Sequence, residues 1–168
     1  MSVFVRLTSS EMAMTHAIAR RRQANKEDNG TPNNRKSRTR DDETTHRIGL
    51  RAEVAVANYL GTSPDWKLVA VSDGGIDLRL PDGRRVQVKC RDPIGSGPDF
   101  ALMSADPADF DADLGVLVYE TRNEDWFEIV GTITRERFRE VATVVPFGTL
   151  GDRACVTPEQ MDPVNGPT

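Results

Sequence analysis

Cysteine and histidine are scarce in this 168-residue chain. Cys90 and Cys155 are the only cysteines, and His16 and His46 the only histidines. Their separations show no zinc-type spacing. Cys90 has no histidine near it in sequence, which argues against an activated thiol nucleophile. His16 and His46 read as solvent or packing residues rather than bases. There is no run of about 18 apolar residues, so no membrane-spanning helix is expected. The N-terminus also lacks the apolar core of a signal peptide. The expectation is a cytoplasmic protein with reduced thiols and no membrane partner. At this length a core can be buried without disulfides. No internal repeat is visible.

Positive charge is also in short supply, but unevenly. The formal net charge is −4. Residues 1–46 hold nine Lys/Arg and six Asp/Glu, a balance of +3, whereas residues 47–168 hold thirteen and twenty, a balance of −7. The overall charge does not announce a nucleic-acid binder, although local basic clusters can still contact phosphates.

The N-terminal part begins with an extended apolar piece, Val3 to Leu7. Thr8 and Glu11 form a capping-box pattern, with Leu7 and Met12 placed as a hydrophobic staple. A helix from about Ser9 to Lys26 follows, with Met14, Ala17 and Ile18 on its apolar side. Its narrow stripe implies packing on something larger. Residues 27–42 lack apolar periodicity and read as a mobile basic linker. A second helix, His46 to Leu60, is stopped by Gly61. Trp66 to Val71 reads as extended, and Asp92 to Asp113 as loop-rich, with an apolar piece at Phe100–Met103 and one helical turn at Pro107–Phe110. Leu114–Tyr119 is a near-continuous apolar run, as in a central strand. Trp126–Val130 pairs with it across a hairpin loop, and Thr134 caps a short helix through Phe138. A turn of helix at Pro158–Met161 precedes a polar tail. Trp66 and Trp126 read as core residues. The expected fold class is α+β around a mixed sheet. The expected division is an N-terminal helix and basic linker (1–45), a core (46–140) and a C-terminal extension (141–168).

The most informative stretch runs from Asp73 to Cys90. Ile76, Leu78 and Leu80 alternate with Asp77 and Arg79, and Val86, Val88 and Cys90 alternate with Arg85, Gln87, Lys89 and Arg91, the period of two half-buried strands. With Asp82-Gly83 as a two-residue turn, apolar residues would pair with polar ones, and register errors of one residue flip every side chain. With Pro81-Asp82-Gly83 as a three-residue loop, Leu78 pairs with Val86 and Asp77 with Gln87. Directly paired side chains lie roughly 5 Å apart. A carboxylate, an amide and an ammonium (Asp77, Gln87, Lys89) then converge on one face.

That cluster suits metal-assisted phosphodiester hydrolysis. Asp77 offers a hard oxygen ligand for Mg²⁺, with which Mn²⁺ would exchange, and Mg²⁺ typically takes one or two carboxylates and keeps several waters. Gln87 can add its amide oxygen and Val88 its backbone carbonyl. Lys89 can stabilise charge developing on the phosphate. Glu53, set among Gly49, Ala52, Val56 and Ala57 on the second helix, could join directly or through a water. A surface pair of Glu53 with Arg51, and of Asp77 with Lys89, is the plainer alternative.

At these residues the chain resembles the PD-(D/E)xK nuclease superfamily. The matching parts are Glu53 on the helix from Gly49 to Gly61, Gly75-Ile76-Asp77 at the start of a strand, and Gln87-Val88-Lys89 on the next. The order and spacing suit the family's αβββαβ core, a mixed central sheet flanked by helices and restriction-endonuclease-like, here with an extra N-terminal helix. The likeness spans about residues 46–138 and is greatest to compact Holliday-junction-resolvase and phage or mobile-element members with the Gln-x-Lys variant. The resemblance implies a Mg²⁺-dependent endodeoxyribonuclease that leaves 5′-phosphate and 3′-hydroxyl ends. Asp77 would be the central metal ligand, Gln87 the occupant of the acidic ligand position, Lys89 the catalytic lysine and Glu53 the helix carboxylate. Arg35, Lys36, Arg38 and Arg40 in the linker, together with Arg85 and Arg91, would contact DNA. A homodimer fits too, since many nucleases of this kind cut both strands as dimers. Ile76 stands where the name-giving proline would be, and Gln87 replaces an acidic residue and removes one negative charge. The competing expectation is therefore a catalytically degenerate DNA-binding or assembly module on the same fold.

Overall fold

The computed structural model describes residues 2–28, 42–64, 66, 76–92, 102–104, 106–146 and 151–164, with backbone only at 25–28, 42, 102 and 103. Strand β1 (Val3–Arg6) and helices α1 (Ser9–Asp28) and α2 (Asp42–Leu60) are followed by the hairpin β2 (Leu78–Arg79) and β3 (Arg85–Arg91). Strands β4 (Leu102–Ser104), β5 (Leu114–Glu120) and β6 (Trp126–Thr134), helix α3 (Arg135–Val141), and strands β7 (Thr143–Pro146), β8 (Asp152–Val156) and β9 (Asp162–Pro163) complete the order. The fold is α+β. The central sheet runs β1-β6-β5-β3-β2, with β9 also paired to β6. It is mixed, because β3 and β5 are parallel and the other neighbours antiparallel. β5, the near-continuous apolar run, lies between β3 and β6 with four consecutive buried residues from Gly115 to Val118. Among the described residues, the connection from β3 to β5 holds β4 and a 3-10 turn at Pro107–Asp109, where an αβββαβ chain has a helix.

Local chemistry sets the helix ends. The Glu11 carboxylate accepts from the Thr8 N–H at 2.7 Å, and the Thr8 hydroxyl accepts from the Glu11 N–H at 3.3 Å. This reciprocal box satisfies two donors that a bare N-terminus leaves open. α2 ends in a left-handed glycine, Gly61 at φ 64°. The Thr62 N–H reaches the Ala57 carbonyl at 2.9 Å and the Gly61 N–H reaches Asn58, the Schellman pattern. The Thr134 hydroxyl caps α3 through the Arg137 N–H at 3.2 Å. The linker is shorter than expected, since α1 continues through Asp28 and α2 starts at Asp42. On α1, Thr15, Ile18 and Ala19 are buried, whereas Met14 is 51% exposed and Ala17 is also exposed. The stripe expected at Met14 and Ala17 is therefore rotated by about one residue, toward the face that α2 covers.

The two faces of the central sheet bury different cores. Val86, Val88, Val116, Val118, Phe127 and Ile129 pack with Ala52, Val54, Ala55 and Val56 of α2. Leu117 and Ile133 pack on the opposite face with Phe138 of α3, Phe110, Ala154 and Val156. The Phe110 and Phe138 rings stack with centroids 4.3 Å apart. A bulge in β6 explains how one strand serves both. Leu117 pairs with Gly131 but Val118 with Ile129, so Val130 is the extra residue. One inserted residue inverts the parity of side chains. Phe127 and Ile129 thus face α2, and Ile133 faces α3.

The ends of the chain are built into this body rather than appended to it. β1 adds a strand to β6. A second sheet, β4-β8-β7, places Ala154 and Val156 in the α3-side core with Met161. Val164 is buried on the α2 side. The expected C-terminal extension therefore supplies core residues. Trp66 packs at the edge of the α2-side core. Trp126 is half-buried, with the Arg6 guanidinium 5.9 Å from its ring centre.

Candidate functional site

The β2–β3 hairpin takes the register that its turn chemistry dictates. Leu78 faces Val86 and Arg79 faces Arg85. The Gly83 N–H donates to the Leu80 carbonyl and the Leu80 N–H to Arg84, both at 2.9 Å. Gly83 sits at φ 89°, a conformation that glycine tolerates best. Asp82 ties the turn by accepting from the Arg84 N–H at 3.0 Å and the Arg84 Nε at 2.7 Å. The Arg84 backbone donor, followed by its side chain, holds the Asp82 carboxyl below the usual range.

Asp77 sits just before β2, where the ladder gives out. Its N–H donates to the Val86 carbonyl at 2.8 Å, and its Oδ2 accepts the Val88 N–H at 2.6 Å. The carboxylate thus serves where a backbone acceptor would stand for Val88, as short acidic side chains often do at the ends of regular structure. In an extended strand, the N–H and C=O of one residue point the same way, so the Val88 carbonyl is directed to this same edge. Asp77, the Val88 peptide and the flanking Gln87 and Lys89 share one corner of the sheet.

Gln87 and Lys89 alternate with Val86 and Val88, which face α2, and so project from the other face. Their partners on β5 are Gly115 and Leu117, and Leu117 belongs to the α3-side core. Both side chains are half-buried. Among the described residues, neither has a hydrogen-bond or ion-pair partner, so Asp77 and Lys89 do not form the simple salt bridge that the plainer alternative requires.

Glu53 is placed differently. It is half-buried on α2, the helix that covers the face opposite Gln87 and Lys89. Among the described residues, the sheet therefore separates Glu53 from Gln87 and Lys89. Arg51 is not its surface partner, because the Arg51 Nη1 pairs with the Glu124 carboxylate at 3.1 Å. Among the described residues, no three His, Cys, Asp or Glu side chains gather as a ligand group.

Two of the expected DNA-contacting cations are otherwise engaged. Arg85 holds Asp111 with both Nη atoms, at 2.8 and 3.3 Å, and its backbone N–H donates to the Asp113 carboxylate at 2.8 Å. Arg135 binds the other Asp113 oxygen and the Asp111 carbonyl. This network fastens the segment before β5 to the start of β3 and of α3. Backbone donation from Arg85, helped by nearby Arg135, lowers the Asp113 carboxyl, and the Arg85 guanidinium lowers that of Asp111. Arg91 is half-buried near Cys155 and Tyr119, and burial pushes its guanidinium below the ordinary value. Arg35, Lys36, Arg38 and Arg40 lie outside the described residues. Asp111, Asp113 and Arg135 went unread in the sequence. Their one local signal is the alternation Asp109, Asp111, Asp113 around Phe110 and Ala112, which marks a half-buried extended segment with acidic groups on one side.

Compared with family models, with curated proteins and with solved structures, the chain finds no significant match. Function therefore rests on the chemistry of the corner itself. The donors that Asp77, Gln87 and the Val88 carbonyl would offer are all oxygens, which would fit a hard cation such as Mg²⁺ better than zinc or copper.

Proposed function

We propose that the chain is a metal-dependent DNA endonuclease with a restriction-endonuclease-like core of the PD-(D/E)xK kind. The observation that supports it most is the sheet corner. The Asp77 carboxylate accepts the Val88 N–H, and Val88 is flanked on its strand by Gln87 and Lys89, whose side chains have no partner among the described residues. The sequence of elements is compatible: a helix bearing Glu53, a hairpin, then a parallel neighbour for its second strand. A phosphate brought to this corner would supply the missing counter-charge.

Asp77, Gln87 and the Val88 carbonyl would hold Mg²⁺ or Mn²⁺, with Glu53 able to contribute only from the α2 side. Bound there, the cation would supply Lewis-acid neutralisation of the phosphate and a more acidic water. The Val88 N–H keeps the Asp77 carboxylate oriented. Lys89 binds the scissile phosphate and stabilises the charge that grows on its oxygens, a contribution of about 10²–10³ in rate for comparable single donors. Purified protein should nick or cut DNA with Mg²⁺ or Mn²⁺, leaving 5′-phosphates. Lys89→Ala should lose about 10²-fold or more while keeping the wild-type unfolding curve. Lack of cleavage of duplex, single-stranded and branched DNA with either metal would defeat the proposal.

A second function is favoured by Gln87 in particular. With an amide at the acidic ligand position, one carboxylate remains among the three proposed ligands, and a non-catalytic DNA-binding or assembly module would need no more. Calorimetric titration with Mn²⁺ separates the two, since a degenerate corner takes up no metal and Gln87→Glu then restores it.

A further inference from the structure

Away from that corner, the first half of α2 and the β5–β6 hairpin enclose a cavity of about 230 Å³. Arg47 and Arg51 line it from one helix face, and Glu120, Asn123, Glu124 and Trp126 line it from the hairpin side. Like charges spaced i, i+4 repel on a helix, so this pair works against α2 unless something answers it.

What answers it inside the protein is thin. Arg51 is only 7% exposed, yet among the described residues its charge is met by one 3.1 Å contact to Glu124, whose side chain is 75% exposed. The Arg47 Nη1 lies 3.4 Å from the His16 Nδ1, a long contact. Among the described residues, the Nε of each arginine is buried with no hydrogen-bond partner. A guanidinium has five N–H donors, and a buried charge is tolerated when those donors are used. Two under-used forks, set on one side of a cavity with the Asn123 amide on the other, call for an acceptor with several oxygens.

We propose that this cavity binds a phosphate monoester. Its tetrahedral dianion accepts from both guanidinium forks and from Asn123, which a flat carboxylate cannot do at once. The half-buried Trp126 beside it gives the organic part of the ester an aromatic wall. Glu124, being exposed and on a loop, turns out to solvent when the phosphate takes its place on Arg51. Glu120 remains a nearby like charge and limits affinity, and Arg47 offsets it. Two sources share this chemistry: a free mononucleotide or inorganic phosphate, and the 5′-phosphorylated end of a DNA strand.

The test uses the full chain without divalent metal, so it is independent of nuclease activity. Inorganic phosphate and a deoxynucleoside 5′-monophosphate are titrated calorimetrically, and 5′-phosphorylated and 5′-hydroxyl oligonucleotides are compared by fluorescence anisotropy. Phosphate should bind with a dissociation constant below about 10 mM. Arg47→Ala should weaken it about tenfold or more, and Glu124→Gln should tighten it about threefold, because the exposed competitor for Arg51 is lost. A preference of about tenfold for the 5′-phosphorylated oligonucleotide assigns the site to DNA ends. Equal oligonucleotide binding with retained mononucleotide binding assigns it to free phosphate esters. Should Arg47→Ala fail to fold, Glu124→Gln alone decides. No phosphate binding, or phosphate binding that Glu124→Gln leaves unchanged, overturns the proposal.

Discussion

Asp77 has one structural duty and one proposed duty, and replacing it in two ways pulls them apart. Its Oδ2 accepts the Val88 N–H at 2.6 Å, a charge-assisted bond at the end of the β2–β3 ladder. Asp77→Ala leaves that half-buried donor without its acceptor, at a cost of about 1–3 kcal/mol. For a chain of this size, each kcal/mol moves the melting temperature by about 2–4 °C, so a loss of about 2 kcal/mol lowers it by about 4–8 °C. Asp77→Asn keeps an oxygen for the Val88 N–H and gives up only the charge, so it should lose less than about 1 kcal/mol. Both replacements remove the only carboxylate among the three ligands proposed at the corner, and both should abolish Mn²⁺ uptake and DNA cleavage. The assay is urea unfolding followed by circular dichroism in chelator, beside Mn²⁺ calorimetry on the same samples. An Asp77→Ala protein as stable as the wild type would refute the clamping of Val88. An Asp77→Asn protein that binds Mn²⁺ with undiminished affinity would refute the role as ligand.

The acidic network before β5 and the bulged strand offer further checks. Asp113 has a lowered carboxyl pKa in the folded chain, so its stabilisation is fully present above the ordinary value of 3.8 and fades as pH falls through the lower folded-state value. Asp113→Asn should therefore be less stable than the wild type at pH 6, and the difference between the two urea midpoints should shrink progressively as pH falls below 3.8; a gap that does not narrow at all on acidification would contradict the linkage. A methyl group added at Gly131 would stand 2.9 Å from the Met161 Cβ and 3.3 Å from the Asp162 carbonyl. Gly131→Ala should consequently cost about 1–3 kcal/mol by forcing β9 away from β6, and an unchanged melting temperature would show that β9 yields freely.

Much of the hairpin was legible from residues 76–90 because its determinants are local. A proline at the first loop position, a glycine able to adopt positive φ and strict alternation leave one register that keeps apolar residues on one side. The caps at Thr8, Gly61 and Thr134 are legible for the same reason, since each closes on atoms within five residues. β5 was recognisable because a strand covered on both faces has to be apolar throughout. Such features need no knowledge of the rest of the chain.

Choices between distant partners were decided only by the tertiary structure. Arg85 reads as a solvent-facing cation until Asp111 and Asp113 are brought beside it by the return of the chain into β5. Met14 and Thr15 could each have faced inward on α1, and the position of α2 settled it. The parity switch at Val130 exists because β6 must meet α2 with one half and α3 with the other, and nothing local marks the residue at which it turns. The C-terminal stretch reads as a tail by composition, yet Ala154, Val156 and Met161 close the α3-side core. The same holds for the candidate corner. Sequence alone aligns Asp77 with Gln87 and Lys89, because turn chemistry acts over a few residues. The layer to which Glu53 belongs follows from how a whole helix packs on a sheet, and that is a property of the assembled chain.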